Sequence, residues 1–137
     1  MRRFVLTLAG ALLAVQSSVV FACGFCIEDK VAAAYDHTVI KHAVERGHEI
    51  VFVEIAGAEP LKPAQWRLLV RMVENVAGVE RGSARTSVTP QVLSFELDAA
   101  RSTSANVLKQ INEKLRQQQV RVELVKILNE RQGVALR

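Results

Sequence analysis

The stretch HEIVFVEIA, residues 48–56, decides the predicted fold. It is short, it is rich in β-branched and aromatic side chains, and a glycine stands on either side of it, so it predicts a β-strand. Side chains along a strand alternate between the two faces of the sheet. This strand is apolar on both faces: Val51, Val53 and Ile55 share one, and Ile50 and Phe52 share the other. We therefore expect both faces of the sheet to be covered, by other parts of the chain or by another molecule.

Downstream of this strand, the apolar pattern predicts a helix, two strands, a second helix and a closing strand. The corresponding ranges are 63–77, 79–88, 90–98, 102–118 and 119–128, and 79–88 is the weakest of the strands. The β-α-β-β-α-β order is that of the split βαβ, or ferredoxin-like, arrangement. Right-handed crossovers then put both helices on one face of a four-stranded sheet. The sequence thus predicts an α+β, ferredoxin-like sandwich in which Leu93, Phe95 and Leu97 also meet the helices.

Upstream of the first strand, residues 27–46 predict one extra N-terminal helix, because apolar residues recur there at three- and four-residue spacing. Glu28 and Asp29 fall in its first turn, where carboxylates suit the positive end of a helix. Gly47 suits its C-terminal end. We expect this helix to cover the second apolar face of the sheet, with Tyr35 as its anchor.

The first 22 residues resemble an export signal. Arg2 and Arg3 precede an apolar run at 4–15, and Val20-Phe21-Ala22 meets the small-residue rule for cleavage. The run is shorter than the roughly 20 apolar residues that span a membrane. The prediction is a signal peptide at 1–22 and a periplasmic or otherwise exported protein. The alternative is a lipobox ending at Cys23, although Phe21 departs from that pattern; lipidation of Cys23 would make a membrane-anchored lipoprotein.

Without this leader the chain has 115 residues (137 less 22) and a net charge of +2 (16 basic against 14 acidic residues). We divide it into a Cys-x-x-Cys segment with the N-terminal helix at 23–47, the ferredoxin-like domain at 48–128, and a flexible tail at 129–137. No basic block is left, so we expect no nucleic-acid binding. No hydrolase elbow, phosphate loop or paired-carboxylate motif is present, so we expect no enzyme.

Cys23 and Cys26 are the only two cysteines and form a Cys-x-x-Cys motif between the leader and the predicted helix. Two thiols at this spacing suit Cu(I), or Zn(II) with added ligands. A helix N-terminus lowers the pKa of a nearby thiol, which favours metal binding and disulfide exchange equally. A resting disulfide is also expected in an oxidising compartment. Spacing alone leaves metal handling, thiol redox chemistry, a disulfide and a lipid anchor open.

Two stretches, VENVAGVERGSARTSV after the first domain helix and VLKQINEKLRQQQVRVELV at the end, resemble heavy-metal-associated domains, the fold of small copper chaperones. The resemblance covers residues 48–128 and implies a metal carrier that exchanges its ion with a protein partner. That family holds its metal with cysteines in the loop after the first strand. The corresponding loop here, AGAEPLKPAQ, has no cysteine, histidine or methionine. The family's metal site therefore cannot be transferred to this chain.

The three histidines add no ligand set that the sequence can identify. On a continuous helix, His37 and Cys26 would share a face but lie about 16 Å apart, too far for one ion. We expect His42 and His48 to be ordinary surface or packing residues. The functional hypothesis is an exported Cu(I)-binding or trafficking protein with Cys23 and Cys26 as metal ligands. The alternatives are a non-catalytic interaction module, a lipoprotein, and a thiol-disulfide redox protein.

Overall fold

A computed structural model describes residues 25–57 and 59–129. The predicted leader at 1–22, Cys23 and the tail beyond residue 129 lie outside these residues. The elements in chain order are α1 (Ile27–Ala33), α2 (His37–Arg46), β1 (Glu49–Gly57), α3 (Pro63–Glu74), β2 (Arg85–Ser87), β3 (Val92–Leu97), α4 (Ser104–Leu115), a 3₁₀ turn (Arg116–Gln118) and β4 (Val120–Leu128).

The four strands form one sheet in the order β2-β3-β1-β4, and every neighbouring pair is antiparallel. With α3 between β1 and β2 and α4 between β3 and β4, this is the predicted ferredoxin-like α+β fold. In the register between the two central strands, Ile50 lies opposite Glu96 and Val51 opposite Phe95. Directly opposed residues point to the same face, so this register decides which side chains meet.

The first face of the sheet packs against α3 and α4, as predicted. Val51, Val53, Leu93, Phe95 and Leu97 are all fully buried there. The helices contribute Trp66, Leu69, Val73, Val107, Ile111 and Leu115 to the same cluster. Burying such apolar side chains is the main favourable contribution to folding.

The second face is covered by α1 and α2, which confirms the expectation drawn from Ile50 and Phe52. Both side chains are buried, and they form a separate apolar cluster with Ala34, Ala43 and Val92. Helix α1 contacts β1, β3 and β4, and α2 contacts β1 and β3. The sheet is thus enclosed from both sides by this chain itself.

The prediction of one helix over 27–46 is wrong, because the segment breaks between Ala34 and Asp36. The Asp36 carboxylate accepts hydrogen bonds from the backbone amides of Thr38 (2.9 Å) and Val39 (3.2 Å) and so caps a new helix. The anchor is also a different residue. Ala34 is buried and its carbonyl accepts a 2.7 Å hydrogen bond from the Ser94 hydroxyl, whereas Tyr35 is 44% exposed.

The weak strand predicted at 79–88 is mostly a turn-rich segment between α3 and β3. Only Arg85–Ser87 forms a regular strand, and Val79 makes an isolated bridge to Leu97. Gly78 and Gly82 both have positive φ (94° and 79°), a conformation that favours glycine and interrupts a strand. This irregular path brings Glu80 and Ser83 against the backbone of β3.

Replacing Asp36 should destabilise the fold in a pH-dependent way. The pKa of Asp36 lies below its ordinary value. The main cause is a hydrogen bond from the Arg85 guanidinium, and the hydrogen bonds from the amides of Val39 and Thr38 act in the same direction. The stabilisation is therefore present above that ordinary pKa and is lost as pH falls through the lower pKa of the folded state. We expect Asp36→Ala to lower the thermal unfolding midpoint by a few degrees at pH 7 and by less at pH 2.

Asp36→Asn is the matched variant for this prediction, because asparagine can cap a helix without carrying charge. It should retain part of the stability at pH 7 but flatten its fall toward pH 2. Thermal unfolding followed by circular dichroism at several pH values measures both effects. Equal losses for both variants at every pH would contradict a charge contribution from the Arg85 pair.

Candidate functional site

Cys26 is the one predicted metal ligand within the described residues, and it lies immediately before α1. It occupies the N-cap position with an extended backbone (φ −66°, ψ 169°), and its carbonyl accepts a 3.0 Å hydrogen bond from the amide of Lys30. Its side chain makes no capping hydrogen bond and is exposed. The thiol is therefore accessible to an ion or to another protein. Cys23 lies outside the described residues.

The helix end does act to lower the pKa of the Cys26 thiol, but other groups around the thiol outweigh it. The Asp29 backbone amide does lower this pKa, but the Asp29 carboxylate, slight desolvation and the Glu28 carboxylate act the other way, and the net direction is upward. The same acidic residues that suit the helix N-terminus thus oppose formation of a thiolate beside them. A bound cation would reverse this, since it favours the deprotonated thiol.

Apolar side chains surround Cys26 at the surface. Phe25 is 47% exposed and Ile27 is 51% exposed. Phe25 also lines a broad pocket of about 690 Å³ whose lining includes Val88, 59% exposed. Lys30 and Glu54 form an ion pair in the same pocket. The thiol therefore stands beside an exposed apolar surface with one charged pair in it.

A second group of ligand-type side chains surrounds Glu96, which is on β3 and faces α2. The Glu96 side chain is only 1% exposed. One of its oxygens lies 2.6 Å from His48 Nδ1, and the other lies 3.0 Å from His42 Nδ1. A carboxylate accepts hydrogen bonds only, so an ionised Glu96 receives one N–H from each imidazole.

The elements around Glu96 explain why these side chains meet. His42 projects from α2, His48 stands just before β1, and Glu80 belongs to the irregular segment after α3. The Glu80 amide donates to the Glu96 carbonyl at 2.9 Å, which ties that segment to β3. The Ser83 hydroxyl accepts from the Glu96 amide at 3.0 Å. Both the amide and the carbonyl of Glu96 are thereby held by this segment.

His48, Glu80 and Glu96 each offer one ligand atom, and these three atoms lie within 4.8 Å of one another. His48 is mostly buried, whereas Glu80 is partly exposed and lies 3.4 Å from the Arg46 guanidinium. Asp98 adds a further carboxylate 3.9 Å from His48 Nε2. A pocket of about 220 Å³ borders the group, with His42, Glu80 and Glu96 in its wall.

The sequence interpretation missed this group, which we call the Glu96 cluster: His42, His48, Glu80 and Glu96. The alternation of β3 contained one signal, because Glu96 falls between Phe95 and Leu97 and must face the side opposite to them. That side was already predicted to be covered, so a buried carboxylate was foreseeable. The sequence does not predict its partners, since His48 lies 48 residues away in the chain.

His37 takes no part in the Glu96 cluster. It is the first residue of α2 and is exposed. The separation from Cys26 estimated for a continuous helix no longer applies, because α1 and α2 are separate helices.

Within the part of the chain that the structure describes, no helix combines the length and the apolar character needed to cross a membrane. Comparison with protein-family models, with curated proteins and with solved structures finds no match to this chain.

Proposed function

We propose that this chain is an exported protein that binds a soft metal ion, Cu(I) first, through Cys23 and Cys26 and passes it to a protein partner. The observation that carries the proposal is the position of Cys26. Its side chain is exposed at the start of a helix that is packed on the sheet. A second thiol three residues earlier in the chain then completes a pair of soft ligands.

Such a carrier needs no chemical step on a substrate. A two-thiolate site near the surface lets a partner's thiols enter the coordination sphere one at a time, so that the ion moves by ligand exchange. The exposed Phe25 and Ile27 beside Cys26 give the partner an apolar contact next to the ligands. The ferredoxin-like fold agrees with the heavy-metal-associated resemblance, but many functions share that fold, so the proposal depends on the thiols.

The test is a Cu(I) competition titration under reducing conditions. The parent should take one Cu(I) per chain from a chromogenic chelator. The double variant Cys23→Ser/Cys26→Ser should lose that binding by at least about a hundredfold, because hydroxyl groups are poor ligands for a soft ion. His37→Gln, which changes an exposed histidine on α2, is the control and should bind like the parent. A double variant that competes as well as the parent would exclude the proposal.

The exposed apolar residues also favour a second candidate, a non-catalytic interaction module in which the cysteines are a disulfide or a lipid anchor. The intact mass of the protein purified from its own host separates the two. Free thiols agree with the metal carrier, whereas a diacylglycerol group on Cys23 removes the second ligand and favours the module.

A further inference from the structure

We infer that the Glu96 cluster is a second metal site, for Zn²⁺, with His48, Glu80 and Glu96 as its protein ligands. It uses none of the residues of the proposed Cu(I) site and would stand even if that proposal failed. The inference rests on burial, on the spacing of the ligand atoms and on access from solvent.

Burial makes Glu96 the centre of the site. A carboxylate at 1% exposure needs strong compensation, because its charged form is poorly solvated there. No lysine or arginine lies within ion-pair distance of Glu96 among the described residues; its partners are two imidazoles. A neutral imidazole supplies a hydrogen bond but no positive charge. A bound cation would supply that charge directly.

The spacing of the three ligand atoms is close to that of a coordination sphere. Zinc bonds of about 2.1 Å to nitrogen and oxygen in a tetrahedral arrangement put neighbouring ligand atoms about 3.4 Å apart. The three atoms lie within 4.8 Å of one another, so the longest edge has to shorten by at most about 1.4 Å. If Nδ1 is the ligand nitrogen of His48, it gives up its 2.6 Å hydrogen bond to Glu96. Glu80 can provide this contraction, since its side chain is 38% exposed and its ion pair with Arg46 lies at the surface.

The pocket of about 220 Å³ gives an ion a route to the ligands. Its wall includes His42, whose side chain is 51% exposed and whose Nδ1 lies 3.0 Å from the second oxygen of Glu96. His42 therefore stands at the rim, where it can hold the Glu96 carboxylate in place while water completes the coordination sphere. An oriented ligand carboxylate of this kind is typical of protein zinc sites.

The donor set selects the class of metal. Imidazole nitrogen with two carboxylate oxygens suits Zn²⁺ and related divalent ions, while Cu(I) prefers sulfur. Calcium and magnesium prefer oxygen alone and usually more of it. The chain would then hold two chemically different ions, a soft one at the N-terminal thiols and a borderline one between α2 and β3.

The test is a calorimetric titration with ZnCl₂ in the Cys23→Ser/Cys26→Ser background, so that thiols take no zinc. We expect one Zn²⁺ per chain and a rise of the thermal unfolding midpoint with zinc concentration. Glu80→Gln should weaken zinc binding by at least about tenfold, and Glu96→Gln should weaken it further. The exposed His37→Gln should bind zinc like its background.

The alternative is that His42 and His48 only satisfy a structural carboxylate. In that case the background protein takes up no zinc, or Glu80→Gln and Glu96→Gln bind it as tightly as the background, and either result overturns the inference. If Glu96→Gln fails to fold, Glu80→Gln decides alone, because Glu80 is partly exposed and its replacement leaves the buried carboxylate intact. Cu(I) binding by the parent has no bearing on this outcome.

Discussion

Ala43→Glu is expected to reduce the free energy of unfolding by about 4 kcal/mol or more, which is a large share of the 5–15 kcal/mol typical of a domain. Ala43 is completely buried on α2 and belongs to the apolar cluster with Ile50, Phe52 and Val92. A glutamate there would place a carboxylate against apolar groups without a partner, or force α2 away from the sheet. Urea unfolding followed by circular dichroism measures the loss.

The matched control for this prediction is Val44→Glu, the same new side chain one position along the same helix. Val44 is 39% exposed, so a carboxylate there stays in water. Its effect should lie within about 0.5 kcal/mol of the parent. Similar losses at the two positions would mean that charge on α2, and not the packing of its inner face, is responsible. A small loss at Ala43 would mean that α2 leaves the sheet at little cost.

The sheet and its two buried faces were predictable from sequence because a strand has a period of two. Once Val51, Val53 and Ile55 were assigned to one face, Ile50 and Phe52 had to lie on the other. An apolar second face requires a cover, and the only unassigned helical segment preceded β1. The structure places both helices of that segment there.

The break in that helical segment was not predictable from apolar spacing, because the spacing continues through residues 27–46. The break depends on which hydrogen bonds the Asp36 carboxylate makes, and apolar spacing carries no information about them. This carboxylate can stay in water on the surface of one continuous helix. Alternatively, it can accept hydrogen bonds from the amides of Thr38 and Val39 and so begin a second helix. The contact between Arg85 and Asp36 and the bond from Ser94 to Ala34 favour the second arrangement, and both come from distant strands.

The Glu96 cluster illustrates why sites are harder to predict than folds. Its members are spread between residues 42 and 96. Three separate features bring them together: the register of β1 with β3, the position of α2 on the sheet, and the irregular path at Glu80. Apolar alternation predicts only which face Glu96 occupies. The Cys-x-x-Cys motif is the opposite case, since its members are neighbours in sequence and the sequence alone identified it.

The second-largest expected effect is that of Phe52→Ala, which should cost about 4 kcal/mol, as much as Phe95→Ala on the opposite face. Both side chains are completely buried, Phe52 under α1 and α2 and Phe95 under α3 and α4. If the N-terminal helices are part of one cooperative fold, removing either ring leaves a comparable cavity and one shared urea transition. Phe25→Ala is the control and should change stability by less than about 1 kcal/mol, because Phe25 is 47% exposed.

A Phe52 variant that lost much less stability than the Phe95 variant, or that unfolded in two steps, would show that α1 and α2 are only loosely attached. The Glu96 cluster would then lack its rim residue His42 in a large fraction of molecules, because His42 is carried by α2.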